Sequence, residues 1–208
     1  MKYYQYIRIV LILIPIIILA VLFYKDFNPA GYLKVDYDFC RENPFVSKFS
    51  PTGRVLEIEK IKTVAGKDCQ QKMVVDPVYF DVRLTQKFDQ ARLKLWYQKD
   101  LVTPLRIGPA INLSNWQWQL KDINYLLTTQ NFSEGWLVGT AEYDLKNIQP
   151  DKNILRFLIS SPGLDLSAKE IVFGRVAIEF IKEPLTKNNF FERLKEWIKF
   201  SNIYYALN

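Results

Sequence analysis

Val78-Tyr79-Phe80-Asp81-Val82-Arg83-Leu84 alternates apolar and polar side chains without a break. Successive side chains of a strand leave opposite faces. This order therefore predicts a buried face of Val78, Phe80, Val82 and Leu84 and a solvated face of Tyr79, Asp81 and Arg83. The pattern resumes after residues 87–90 with Leu93, Leu95 and Tyr97, as the return arm of a hairpin would.

Similar short runs flank this stretch. Downstream they cover residues 105–107, 116–120, 137–143, 154–159, 171–173 and 176–180, with Gly108-Pro109 and Ser161-Pro162-Gly163 as turn signals. Upstream, Leu33, Val35, Tyr37 and Phe39 fall on one face of a strand within 32–49. Ser50-Pro51-Thr52-Gly53 reads as a turn, and residues 55–59 as a strand with Leu56 and Ile58 inward. Many short strands, with no long helical pattern among them, predict an all-β chain: a two-sheet antiparallel β-sandwich, a jelly roll ahead of an immunoglobulin-like order. The strand at 153–160, the Ser-Pro-Gly turn, a loop and a long last strand at 172–181 resemble the closing strands of galactose-binding-like jelly rolls. More broadly, the chain resembles single-span bacterial surface proteins.

An apolar segment precedes the sandwich. From Ile7 to Tyr24 the chain reads IRIVLILIPIIILAVLFY, with Arg8 at its edge as the one charge. At about 1.5 Å per helical residue it spans roughly 27 Å, close to the hydrocarbon thickness of a bilayer. It is longer than a signal-peptide core and ends without a small-x-small cleavage pattern, which favours an uncleaved transmembrane anchor. Pro15 is tolerated in such a helix as a mild kink. Tyr3, Tyr4, Tyr6, Phe23 and Tyr24 suit the interfacial aromatic belts. Lys2 and Arg8 bias the amino terminus to the cytoplasm, which puts the domain outside the cell membrane. The expected organisation is a cytoplasmic tail (1–6), a single membrane pass (7–24), a linker (25–31), an extracytoplasmic sandwich (32–185) and a carboxy-terminal amphipathic helix (186–208).

That last helix is expected over about 190–204. Phe190, Leu194, Trp197 and Ile198 recur at helical spacing, and Asn189 with Glu192 matches a capping box. It would pack on the sandwich, or dock lipid or a partner.

Composition narrows the chemistry. With 49% apolar and 24% charged residues, the chain has the make-up of a folded domain. Its net charge is +6, and +4 without Lys2 and Arg8. That mild excess suits anionic headgroups or wall polymers; with no Arg/Lys run, it argues against a nucleic-acid partner. The chain has no histidine, which excludes Ser-His-Asp and Cys-His catalysis and imidazole-dependent zinc sites. Cys40 and Cys69 are the two cysteines. In an exported chain they predict a disulfide; buried or reactive thiols are the other readings.

Several residues are candidates for binding. Trp116 and Trp118 would leave one strand face about 7 Å apart, forming either a sugar-stacking platform or part of the core. Gln117 would flank them. Asp36 with Asp38, and Glu57 with Glu59, are carboxylate pairs of the kind glycan-active enzymes use, although such pairs are common on exposed strands. Asp165 offers one carboxylate for a structural calcium ion; no other cofactor is expected. The expected function is non-catalytic binding or assembly at the cell surface, with an envelope protein or a surface polysaccharide as partner. A carbohydrate-binding module using Trp116 and Trp118 is the first alternative and a glycan-active enzyme the second.

Overall fold

The computed structural model describes residues 2–27, 31–63, 66–99, 104–113, 115–127, 136–167 and 169–184, with positions 186, 189, 191, 192 and 195. The chain forms two compact units. One joins Met1–Gly31 to Glu183–Asn208, and the other is Tyr32–Lys182.

In the first unit, helix α1 runs over Lys2–Phe27 and contains Pro15. Its described apolar side chains, from Val10 through Val21, are exposed. Among the described residues, no helix is long and apolar enough to cross a membrane. In the expected carboxy-terminal helix, Phe191, Glu192 and Lys195 are helical; Phe190, Leu194, Trp197 and Ile198 lie outside the described residues. The Thr186 N–H donates to Asn189 Oδ1 (2.7 Å), and the Asn189 N–H donates to Thr186 Oγ1 (3.4 Å). This reciprocal pair closes a turn just ahead of the helical residues Phe191 and Glu192.

The second unit is an antiparallel β-sandwich. Its strands are β1 (Tyr32–Tyr37), β2 (Glu59–Thr63), β3 (Gly66–Met73), β4 (Val78–Arg83), β5 (Gln90–Lys99), β6 (Arg106–Asn112), β7 (Gln117–Trp118), β8 (Lys121–Asp122), β9 (Asn124–Leu127), β10 (Leu137–Asp144), β11 (Ile154–Ser160) and β12 (Ile171–Ile181). A short helix, α2 (Leu164–Ser167), precedes β12. The larger sheet has the order β2-β3-β12-β5-β10-β9, with β1 also on β12; the smaller has β4-β11-β6-β7, with β8 also on β6. From β3 to β6, and again from β10 to β12, the chain changes sheet at every strand, as in a jelly roll.

The alternation at 78–84 builds one wall of the core. Val78, Phe80 and Val82 are fully buried, while Tyr79, Asp81 and Arg83 face outward. They meet Leu93, Leu95 and Tyr97 of β5, Phe157 and Ile159 of β11, and Ile178 and Phe180 of β12 within one cluster. A run of rings crosses it: Phe39 to Phe49 (5.1 Å), Phe49 to Phe80 (5.1 Å) and Phe80 to Phe157 (5.4 Å). Burying each such side chain contributes about 1.5–3 kcal/mol before conformational entropy is subtracted.

Several sequence expectations are corrected. β4 and β5 do not form a hairpin: β4 pairs with β11, and β5 with β12 and β10. Leu84 and Phe88 are buried in their connection, and the Asp89 N–H bonds to the Ile181 carbonyl, so the chain crosses between sheets there. Residues 55–58 form no regular strand. Val55 is buried and bridges Met73, and Leu56 is 42% exposed. Phe39 is buried but lies beyond β1 at φ 61°. Residues 43–56 act as a clasp: Val46 and Ser50 bridge Val82 and Tyr79 in the smaller sheet, and Val55 bridges Met73 in the larger. The expected disulfide is present, joining Cys40, just past β1, to Cys69 of β3 with a Cα–Cα distance of 5.0 Å.

Candidate functional site

The end of the smaller sheet carries a groove of about 570 Å³. One wall is the β6–β7 turn. Asn112 Oδ1 accepts the Asn115 N–H (3.3 Å), and Trp116 donates its N–H to the Leu113 carbonyl (3.4 Å). β7 returns beside β6 with Trp118 opposite Ala110 and Gln117 opposite Asn112, which leaves Ile111 as a bulge. Bulges re-aim side chains at sheet edges, and here Gln117 lines the groove.

The other wall is the connection from β10 to β11. Asp144 Oδ1 caps the Lys146 N–H (2.9 Å), and buried Leu145 and Ile148 anchor the loop. Asp151 and Ile154 then exchange two backbone hydrogen bonds (3.1 and 2.8 Å) across Lys152 and Asn153, both of positive φ (48° and 64°). That is the geometry of a two-residue hairpin turn whose central residues are left-handed, a conformation Asn accepts readily. It fixes Asn147, Gln149, Pro150 and Asp151 along the groove.

Arg156 on β11 also lines the groove. Its Nε and Nη2 donate to Asp81 Oδ1 (2.6 Å) and Oδ2 (2.8 Å), and its guanidinium lies 4.5 Å from the centre of the Tyr79 ring. The hydrogen bonds to Asp81 raise its pKa further, against burial. By contrast, the side-chain amides of Gln117, Asn147 and Gln149 bond to no protein group among the described residues.

The structure separates the two tryptophans that the sequence placed on one face. Trp116 sits in the turn at φ 53° and is 73% exposed; Trp118 lies on β7 and is half-buried. The left-handed residue breaks the alternation that would have aligned them.

A second cleft, of about 550 Å³, opens beside the disulfide. Arg175 donates to Asp36 from Nε (2.7 Å) and Nη2, and its guanidinium lies 5.1 Å from the centre of the Trp96 ring. The polar groups here are largely engaged. Asp38 caps the Cys40 N–H (3.0 Å), Asn43 bonds to the Asp36 carbonyl and the Phe45 N–H, and Glu42 pairs with Lys48 (3.5 Å).

Of the remaining sequence candidates, Glu57 is exposed, and the others are tied into the scaffold. Asp36 pairs with Arg175, so the Asp36/Asp38 pair is not a free carboxylate couple. Glu59 accepts from Gln70 (3.0 Å) and faces Lys72 (3.6 Å). Asp165 Oδ1 accepts the Asp76 N–H (2.7 Å), and Asp76 in turn accepts the Ser161 N–H (2.6 Å). Among the described residues, no three His, Cys, Asp or Glu side chains gather to hold a metal ion. Sequence reasoning missed Asn112, Asn147, Gln149, Asp151 and Arg156. The one signal was the polar run Asn147-Ile148-Gln149-Pro150-Asp151 between two strands, which is also what an ordinary turn looks like.

No protein-family model matches the chain, and no curated protein matches it. Three β-sandwich modules are among the solved structures to which it is similar. The CBM22-1 xylan-binding domain of Xyn10C from Paenibacillus barcinonensis is 11% identical (72% of this chain, 94% of that one, TM-score 0.45). The xylan-binding module CBM15 is 14% identical (74% and 99%, TM-score 0.41). The carboxy-terminal CBM6 of LamC from Zobellia galactanivorans is 7% identical (71% and 98%, TM-score 0.36).

Proposed function

We propose that the sandwich is a non-catalytic glycan-binding module held at the outer face of the cell membrane by residues 7–24. The observation that carries the binding reading is the set of uncommitted amides of Gln117, Asn147 and Gln149 along one preformed groove, with exposed Trp116 on its bounding turn. An amide both donates and accepts, as a sugar hydroxyl does. An exposed indole offers an apolar face to the C–H face of a pyranose ring. Pockets that bind small ligands combine such apolar surface with a few fixed polar groups.

The anchor rests on the apolar sequence of residues 7–24 within α1, on the exposure of its described side chains, and on Lys2 and Arg8 at its amino-terminal side. Alkaline carbonate extraction of host membranes tests it: retention in the pellet is expected, and release into the supernatant rejects the anchor.

Binding is tested by titrating the detergent-solubilised full chain with the host's envelope polysaccharides and following tryptophan fluorescence. A saturable shift is expected. It should be lost in Trp116→Ala and Gln149→Ala, with the circular dichroism spectrum unchanged. The absence of any shift rejects sugar binding and leaves assembly with an envelope protein as the function to pursue.

A further inference from the structure

We propose that Asp151 sets the charge selectivity of the groove and restricts it to uncharged saccharides; the proposal rests on the glycan-binding reading. Two charged side chains line the groove, Arg156 and Asp151. Arg156 is already spent. Asp81 takes two of its N–H groups and balances its charge, and Tyr79 covers one guanidinium face. Asp151 makes no side-chain hydrogen bond or close ion pair among the described residues and is exposed to the groove, near enough to Arg156 for its charge to favour the guanidinium cation. Its backbone is fixed by the two hydrogen bonds to Ile154, so its Cα cannot retreat.

Arg156 thus faces two carboxylates, Asp81 and Asp151, and the group keeps an excess of one negative charge at the groove, although the chain as a whole carries +6. Long-range attraction brings acidic polymers to the protein, and the short-range field of Asp151 rejects them at the groove. Towards a neutral sugar the same carboxylate acts as an acceptor. It can take hydrogen bonds from two neighbouring hydroxyls, the charge-assisted geometry that strengthens such contacts. Specificity of this kind combines an attractive contact with a repulsive one.

The test compares neutral polysaccharides with their carboxymethylated derivatives, using the full chain in detergent at low salt. Wild type is expected to bind the neutral polymer about tenfold or more tightly than its carboxymethylated form. Asp151→Asn keeps the shape and the turn preference while removing the charge. It should weaken neutral binding several-fold and narrow the ratio between the two polymers. Glu57→Gln, at an exposed acid away from the groove, should leave that ratio unchanged. Equal or tighter binding of the carboxymethylated polymer by wild type, or an unchanged ratio in Asp151→Asn, overturns the proposal while sugar binding stands. No binding of any polysaccharide by wild type overturns both.

Discussion

Arg156 and Asp81 face each other directly across β11 and β4 and are joined by two hydrogen bonds of 2.6 and 2.8 Å. The opposite sheet repeats the device with a different register: Arg175 reaches Asp36 diagonally, because Asp36 stands opposite Ala177. Each outer face thus holds one arginine clamped by an aspartate and laid on an aromatic ring, Tyr79 or Trp96.

Replacing Asp81 with alanine leaves the partly buried Arg156 guanidinium without its two acceptors. A loss of about 1–3 kcal/mol is expected in urea unfolding, because an orphaned group forfeits its compensation for desolvation. An Asp81→Ala/Arg156→Ala double variant should recover part of that loss. A loss equal to the sum of the two singles would show that the pair is not coupled.

The buried Tyr143 hydroxyl donates to the Ile107 carbonyl (2.6 Å), linking the two sheets. Burial raises its pKa well above the ordinary tyrosine value of about 10. The unfolded chain therefore releases this proton near pH 10 while the folded chain keeps it, so the stabilisation is complete below pH 10 and falls as pH rises above it. Tyr143→Phe should cost about 1–2 kcal/mol at pH 7. Its stability should also fall less steeply above pH 10 than that of wild type, as read by urea unfolding across that range.

Removing the Cys40–Cys69 bridge frees a sequence separation of 29 residues. A Cys40→Ala/Cys69→Ala variant is expected to lose about 3–4 kcal/mol in chemical denaturation. Wild type measured with reductant should move towards it. Indifference to reductant would mean that the bridge constrains little.

At Gly108 a side chain would start against the backbone of Gln119 and Leu120, which cannot swing aside as a flexible side chain can. Gly108→Ala should therefore push β7 and β8 away from β6, cost about 1–3 kcal/mol and weaken polysaccharide binding through Gln117. Stability lost with binding intact would show that β7 does not position the groove.

These sites show where sequence reading reaches and where it stops. Period two at 78–84 and 93–97 identifies strands because one face of each is dry. It says nothing about partners, and so the β4–β5 hairpin was expected where buried Leu84 and Phe88 instead carry the chain between sheets. The disulfide followed from cysteine number and an export argument. The groove was only half legible. Trp116 and Gln117 stood out by type, but the left-handed turn at Trp116 erased the alternation used to orient the tryptophans. Asn147, Gln149 and Asp151 had no period to mark them. Their common wall depends on a turn whose left-handed residues are Lys152 and Asn153, and lysine gives no hint of that conformation.

β1 is the first strand of the sandwich and its partner β12 the last, with Tyr32 opposite Ile181 and Tyr37 opposite Val176. A chain made from its amino terminus at about 5–20 residues per second takes on the order of 10 s to travel between those two strands. Through that interval β1 lacks the strand with which it pairs. Local hairpins cannot shorten the wait, since the pairing joins the most distant parts of the domain. The earliest strand to be synthesised is among the latest to be seated, so an interrupted chain would present a bare β1 edge as the mark of its incompleteness.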